Sequence, residues 1–132
     1  MKDFLNNNAL FRHMNIASEF QRWLQEEGES LISSAELLGG PNWAESAAIV
    51  VEAARRGQDF ASERRRLFQL HRLLHLDLVS DLDSHEAARF FEIHPDDPRA
   101  DEARICAEAL DKGLRSLQAL RDTLPENARN VA

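Results

Sequence analysis

A run of 37 residues without proline, residues 43–79, constrains the fold of this 132-residue chain more than any other feature. Apolar residues recur in it at seven-residue spacing, namely Ala53, Phe60, Leu67 and Leu74. This spacing places apolar side chains on one side of a helix and predicts a long amphipathic helix over about 43–79.

Gly57 leaves two interpretations of this predicted helix open. The tripeptide Arg55-Arg56-Gly57 is typical of a helix end, with basic residues in the last turn and glycine after it. The seven-residue spacing nevertheless continues from Ala53 to Phe60 across the glycine. Because a mid-helix glycine costs only about 1 kcal/mol relative to alanine, we expect one helix, continuous or bent at Gly57.

Two helices are predicted before this stretch. The first covers about 8–27 and is expected to end at Gly28, and a short second helix covers about 29–38. Residues 39–41, Gly-Gly-Pro, form the clearest break in the chain. Asn42 is then the expected N-cap of the long helix.

Two further helices are predicted after it. Asp83 or Ser84 can cap a short helix that ends near residue 93. Asp97 followed by Pro98 is a typical helix start, and the last helix is expected to end near residue 123. The predicted fold is therefore all-α, a bundle of three long and two short helices. A single domain is expected over 1–125, with a frayed tail over 126–132.

Composition excludes several functional classes. The net charge of −7 disfavours a general affinity for nucleic acid, although a local basic patch can still bind it. The lone cysteine, Cys106, allows neither an intrachain disulfide nor a cysteine-based zinc site. No window approaches 18 uninterrupted apolar residues, and the first residues lack the apolar core of a signal peptide. We expect a cytoplasmic protein without a membrane span, and the 14 arginines against two lysines favour a bacterial or phage origin.

Charge is distributed unevenly along the chain. Six arginines lie within 18 residues and precede a carboxylate-rich block, residues 77–102; they are Arg55, Arg56, Arg64, Arg65, Arg66 and Arg72. Such a cluster can form a contact surface for an acidic partner or for RNA phosphates. The same arginines can instead pair with acidic neighbours on a solvated helix face.

Two histidine patterns within this region suggest chemistry. Arg66 and His71 match, in spacing alone, the arginine-x4-histidine motif of the HEPN ribonucleases, and the chain resembles that family in these two residues. The resemblance implies a small helical RNA-cleaving module in which His71 is the acid/base group and Arg66 steadies the phosphate. His71 and His75 lie one turn apart, which is the spacing of a two-histidine metal arm. Conceivable further ligands are His85, His94, Asp96 and Asp97.

The main hypothesis is a protein-interaction module without catalytic activity or cofactor, for example a regulator, adaptor, inhibitor or chaperone-like accessory protein. The ribonuclease and the metal site are its alternatives. A homodimer is expected, because a 37-residue helix extends beyond what one small bundle can cover. The residues expected to bind a partner are Arg55, Arg56, Arg64, Arg65, Arg72, Trp43, Phe90 and Phe91. Phe90 and Phe91 cannot both face one side of a helix, so one of them is expected to be exposed.

Overall fold

The computed structural model describes residues 19–57 and 60–123, and the regular secondary structure in that part of the chain is entirely helical, without strands. The all-α prediction is confirmed. The α-helices are α1 (19–26), α2 (Gly28–Gly39), α3 (Pro41–Arg55), α4 (Arg64–Leu74), α5 (His85–Glu92) and α6 (Pro98–Thr123). Two 3-10 helices cover Phe60–Glu63 and Asp77–Ser80. The start of the predicted first helix and the predicted tail lie outside the described residues.

The prediction of one long helix over 43–79 is wrong. Helix α3 ends at Arg55, and Gly57 has a φ of 72°, in the left-handed region that ends helices and favours glycine. The Gly57 amide donates to the carbonyl of Ala54 over 3.1 Å, which closes the last turn. The second part, α4, ends before Leu76, whose φ of 62° is also left-handed. The argument for a homodimer from helix length is lost with this helix.

Most other predicted boundaries are confirmed, with two corrections. The Ser84 hydroxyl accepts a hydrogen bond from the Ala87 amide over 3.0 Å, and Asp97 Oδ1 accepts one from the Arg99 amide over 3.0 Å. Helix α3, however, begins at Pro41 after Gly40 rather than at an Asn42 cap. Proline suits the first helical position because its missing amide hydrogen would have no partner there.

Gly28 is the second correction, since it begins α2 instead of simply ending the helix before it. A Cβ atom at Gly28 would lie 2.4 Å from Val51 Cγ1, so glycine lets α2 and α3 approach closely. Helix α2 contacts α3, α4, α5 and α6, and it is therefore the centre of the described bundle. None of the helices in the described ranges is long and apolar enough to cross a membrane.

The core is built from aliphatic side chains on α1, α2, α3, α4 and α6. Its largest fully buried members include Leu24, Leu31, Val50, Leu67, Leu70, Leu73 and Leu110. Cys106 of α6 lies in the same core, and burial raises the pKa of its thiol to about 11. A thiol in this environment stays protonated at neutral pH and is a poor nucleophile. The packing of α4 against α6 positions the polar side chains of these two helices that form the candidate site.

Candidate functional site on helix α4

Helix α4 has three distinct sides. Its buried side carries Leu67, Leu70, Leu73 and Leu74, which fix the helix against the core. One edge of that buried side faces α6 and carries the two histidines. The side opposite the buried leucines faces solvent and carries Arg65 and Arg72, whereas Arg64 lies nearer to α6. Because the leucines determine how the helix is rotated, they also determine where each of these polar side chains lies.

The histidine edge forms a compact cluster with α6. The rings of His71 and His75 have centroids 4.1 Å apart, as their one-turn spacing predicts. His71 Nε2 lies 2.8 Å from Asp111 Oδ1, and His75 Nε2 lies 3.1 Å from the Ala107 carbonyl oxygen. We call His71, His75 and Asp111 the histidine–aspartate cluster.

Asp111 is held from two sides. Besides its contact with His71, its Oδ2 atom accepts a hydrogen bond from Arg115 Nε at 2.8 Å. The hydrogen bonds with His71 and with Arg115 hold the pKa of Asp111 below its ordinary value. Hydrogen bonds to the charged form favour that form, so the carboxylate is ionised at neutral pH. The cluster thus brings together two imidazoles and one carboxylate with a fixed orientation.

The solvent-facing side of α4 combines an aromatic ring with positive charge. Phe68 is 44% exposed, and the Arg64 guanidinium carbon lies 5.9 Å from the centre of its ring. Arg65 and Arg72 are exposed, three residues before and four residues after Phe68, and therefore share its side of the helix. We call Arg64, Arg65, Phe68 and Arg72 the basic–aromatic face.

The predicted arginine cluster divides into two groups in the structure. Three members form ion pairs within the chain: Arg55 with Glu29 at 3.3 Å, Arg56 with Glu52 at 3.0 Å and Arg66 with Glu63 at 2.9 Å. Exposed ion pairs of this kind add little stability, but they partly neutralise the arginines. By contrast, Arg64, Arg65 and Arg72 make no ion pair with any other described residue, and Arg64 instead donates a hydrogen bond to the neutral Gln118 side chain over 3.2 Å. The positive charge left over is therefore concentrated on the solvent side of α4.

Arg66 and His71, the pair that resembles the HEPN motif, point to different partners. Five residues along an α-helix correspond to a rotation of about 140° around its axis. In keeping with this, Arg66 contacts Glu63 at the start of α4, whereas His71 contacts Asp111 on α6. Within one subunit, the structure does not bring these two side chains together as a nucleophile-activating or phosphate-binding pair.

The three predicted aromatic contact residues have different environments. Trp43 is half-buried against the core, and its Nε1 donates to Glu86 Oε1 over 3.1 Å. Phe90 is half-buried against the core, whereas Phe91 is 67% exposed. The expectation that one of the two phenylalanines is exposed is confirmed. Of the three, Phe91 alone presents most of its ring to solvent.

An exposed acidic turn, residues 77–83, was not anticipated as a unit from the sequence. It follows α4 and carries three aspartates and no basic residue. Leu82 at its tip is 74% exposed and lies between Asp81 and Asp83. The Asp83 amide donates to Asp81 Oδ1 over 3.1 Å, which shapes the tip. The turn therefore presents an apolar side chain surrounded by negative charge.

Sequence reasoning also missed Asp111, and it favoured other ligands for the histidines. Among the described residues, His71 and His75 are joined by Asp111 and by none of the acids and histidines suggested from the sequence. His94 is exposed between α5 and α6, where its Nδ1 accepts a hydrogen bond from the Asp96 amide over 3.1 Å and lies 4.0 Å from Asp96 Oδ2. The only signal for Asp111 was its place next to Leu110 at the edge of the apolar stripe of α6.

No protein-family model, curated protein or solved structure matches this chain.

Proposed function

We propose that the chain is a protein-interaction module that acts as a homodimer. In this dimer the basic–aromatic face of each subunit binds the acidic turn of the other. The observation that carries the proposal is the exposed ring of Phe68, which lies among arginines that form no ion pair with the rest of the described chain. Arginines and aromatic rings are the side chains that contribute most to binding at protein interfaces.

The acidic turn supplies the complementary chemistry within the same sequence. Leu82 can cover the Phe68 ring, while the three exposed aspartates of the turn, Asp77, Asp81 and Asp83, approach Arg65 and Arg72 of the other subunit. Apolar contact and opposite charge then support the same orientation, and like charges disfavour face-to-face or turn-to-turn contacts. In a two-fold dimer this contact forms twice, because each subunit contributes one face and one turn.

A protein partner fits the chain better than nucleic acid does. The net charge of −7 repels a polyanion, and the acidic turn follows directly after α4. Nucleic-acid affinity depends on several phosphate contacts, whereas three of the six clustered arginines pair with carboxylates of this chain. Binding of RNA by a monomer is the alternative outcome that the following experiment distinguishes.

Sedimentation equilibrium of the full chain tests the proposal. The wild-type protein is expected to show twice its subunit mass of 15.0 kDa, and the substitution Phe68→Glu is expected to give the subunit mass. Ile105→Glu is the matched control, because Ile105 is also an exposed apolar residue, 63% exposed, but lies on α6 in a groove with Trp23 and Ser30 that includes no residue of the basic–aromatic face. This control variant is expected to remain dimeric.

Two results would contradict the proposal. A wild-type protein that stays monomeric at high concentration excludes the dimer, and a gel-shift with single-stranded RNA then shows whether α4 binds nucleic acid instead. Dissociation by Ile105→Glu but not by Phe68→Glu places the interface on a different surface. Higher salt concentration is expected to weaken the dimer, because it screens the contacts between arginines and aspartates.

A further inference from the structure

The histidine–aspartate cluster has a donor set that the proposed dimer does not use. Each of His71, His75 and Asp111 offers one ligand atom, and these three atoms all lie within 4.8 Å of one another. The donors around a tetrahedral zinc ion lie roughly 3.3 Å apart, so small side-chain rotations would bring them to that separation.

The helices hold these donors in place before any ion binds. His71 lies in the turn after Leu67 and next to Leu70, and both leucines are fully buried. Asp111 follows directly after the buried Leu110 on the neighbouring helix. Since α4 and α6 pack through these leucines, the histidines and the carboxylate meet at the edge of the core. A site built on two packed helices loses little conformational freedom when it binds a ligand.

The contacts around Asp111 resemble the supporting interactions of metal sites. Arg115 Nε donates to Oδ2 over 2.8 Å and leaves Oδ1 directed at His71. Outer hydrogen bonds of this kind orient a carboxylate ligand and fix which of its oxygens binds the ion. His75 is exposed to solvent, so an ion has a path to the cluster and retains positions for water.

We infer that His71, His75 and Asp111 bind one divalent transition-metal ion between α4 and α6. Two imidazole nitrogens and one carboxylate oxygen favour Zn²⁺, Fe²⁺, Co²⁺ or Ni²⁺ over Mg²⁺ and Ca²⁺, which prefer oxygen ligands. Three protein ligands leave at least one position to water, which is the arrangement of an accessible site rather than of a closed structural one. The ion would replace the present contact of His71 with Asp111 and would connect the two helices, and His75 would bind it through Nδ1 or, if through Nε2, in place of the Ala107 carbonyl.

Zn²⁺ alone is the probe for this site. The full chain is purified, stripped with a chelator and titrated with Zn²⁺ in a calorimeter. One ion per chain is expected, and the affinity is expected to fall by more than roughly tenfold in His75→Ala and in Asp111→Asn. His94→Ala is the matched control, because His94 is exposed beside a carboxylate but lies outside the cluster. This control is expected to bind as the wild type does.

His75→Ala is the main variant because His75 is exposed, so its loss leaves the core intact. Titration with Co²⁺ gives a second readout, since visible absorption bands report nitrogen and oxygen ligands and a low coordination number. Absence of saturable Zn²⁺ binding by the wild type overturns the inference. So does unchanged binding in both cluster variants, or an equal loss in His94→Ala. The basic–aromatic face is intact in all three variants, so the subunit mass remains an independent test of the dimer.

Discussion

The substitution Gly57→Ala tests whether α3 and α4 are separate helices. It is expected to change the free energy of unfolding in opposite directions for a helix break at Gly57 and for a continuous helix. With the observed φ of 72°, an alanine is forced into the left-handed region, which costs an L-residue about 1–2 kcal/mol. A part of this is offset because alanine reduces the freedom of the unfolded chain. The structure therefore predicts that Gly57→Ala lowers the free energy of unfolding by about 1 kcal/mol.

Contacts add nothing to this value. Among the described residues, a Cβ atom at Gly57 would approach only Gln21 Nε2, at 3.9 Å, which is an ordinary van der Waals distance. The measured change is thus the conformational cost itself. In a continuous helix the same substitution would raise stability by about 1 kcal/mol, because alanine is the better helix former. The sign of the change distinguishes the two structures.

Urea denaturation followed by circular dichroism measures this change. The midpoint is expected to fall at an unchanged slope, and the melting temperature is expected to fall by roughly 3–5 °C. Gly57→Asn is the control, with a smaller loss, because asparagine tolerates the left-handed region better than alanine does. A Gly57→Ala variant that is more stable than the wild type would refute the break between α3 and α4.

Three further predictions concern the rest of the fold. Leu76→Gly is expected to change the free energy of unfolding by less than about 1 kcal/mol in urea denaturation, because relief of the left-handed φ is offset by the greater freedom of glycine in the unfolded chain and by the loss of a side chain that is only 38% exposed. Leu110→Ala is expected to destabilise it by about 2–5 kcal/mol in the same assay, because Leu110 is fully buried. Hydrogen bonds with the Arg99 side chain and amide hold the pKa of Asp97 below its ordinary value in the folded protein. The stability that the Asp97 charge contributes is therefore fully present above the ordinary pKa of an aspartate and is lost as the pH falls through the lowered pKa of the folded state. The difference in stability between the wild type and Asp97→Asn is therefore expected to shrink when urea denaturation is repeated from pH 7 down to pH 3.

Local signals in the sequence predicted where helices end more accurately than they predicted how distant helices pack together. Ser84 and Asp97 were predicted as caps because a short polar side chain before an apolar run can accept a hydrogen bond from a free amide. At Gly57 the sequence carried two conflicting signals, and the seven-residue spacing favoured the wrong one. A straight helix would carry Leu67 and Leu70 away from α2, whereas the break lets α4 pack in the same core. Leu76 could not be predicted, because leucine rarely adopts a left-handed φ.

The candidate site was predictable on α4 and unpredictable beyond it. The spacing of His71 and His75 placed both rings on one side of a helix, which the structure confirms. Asp111 is 40 residues from His71, and its role depends on α6 lying beside α4. Periodicity shows which side of a helix is buried, but it does not show which helix covers that side. For the same reason, the sequence did not separate arginines that pair within the chain from those on the basic–aromatic face.

The proposed dimer is tested most directly by exchanging charges between its two contact surfaces. One variant carries Arg65→Glu and Arg72→Glu, and the other carries Asp77→Arg and Asp83→Arg, while Asp81 is kept because it shapes the turn. The second variant changes the net charge of the turn from −3 to +1. Each variant alone therefore opposes like net charges at both contacts, whereas a mixed dimer restores opposite net charges at both. Sedimentation equilibrium is expected to give the subunit mass of 15.0 kDa for each variant alone and twice that mass for the equimolar mixture. The proposed interface would be contradicted if either variant alone dimerised as the wild type does. It would also be contradicted if the mixture stayed monomeric while the wild type dimerised.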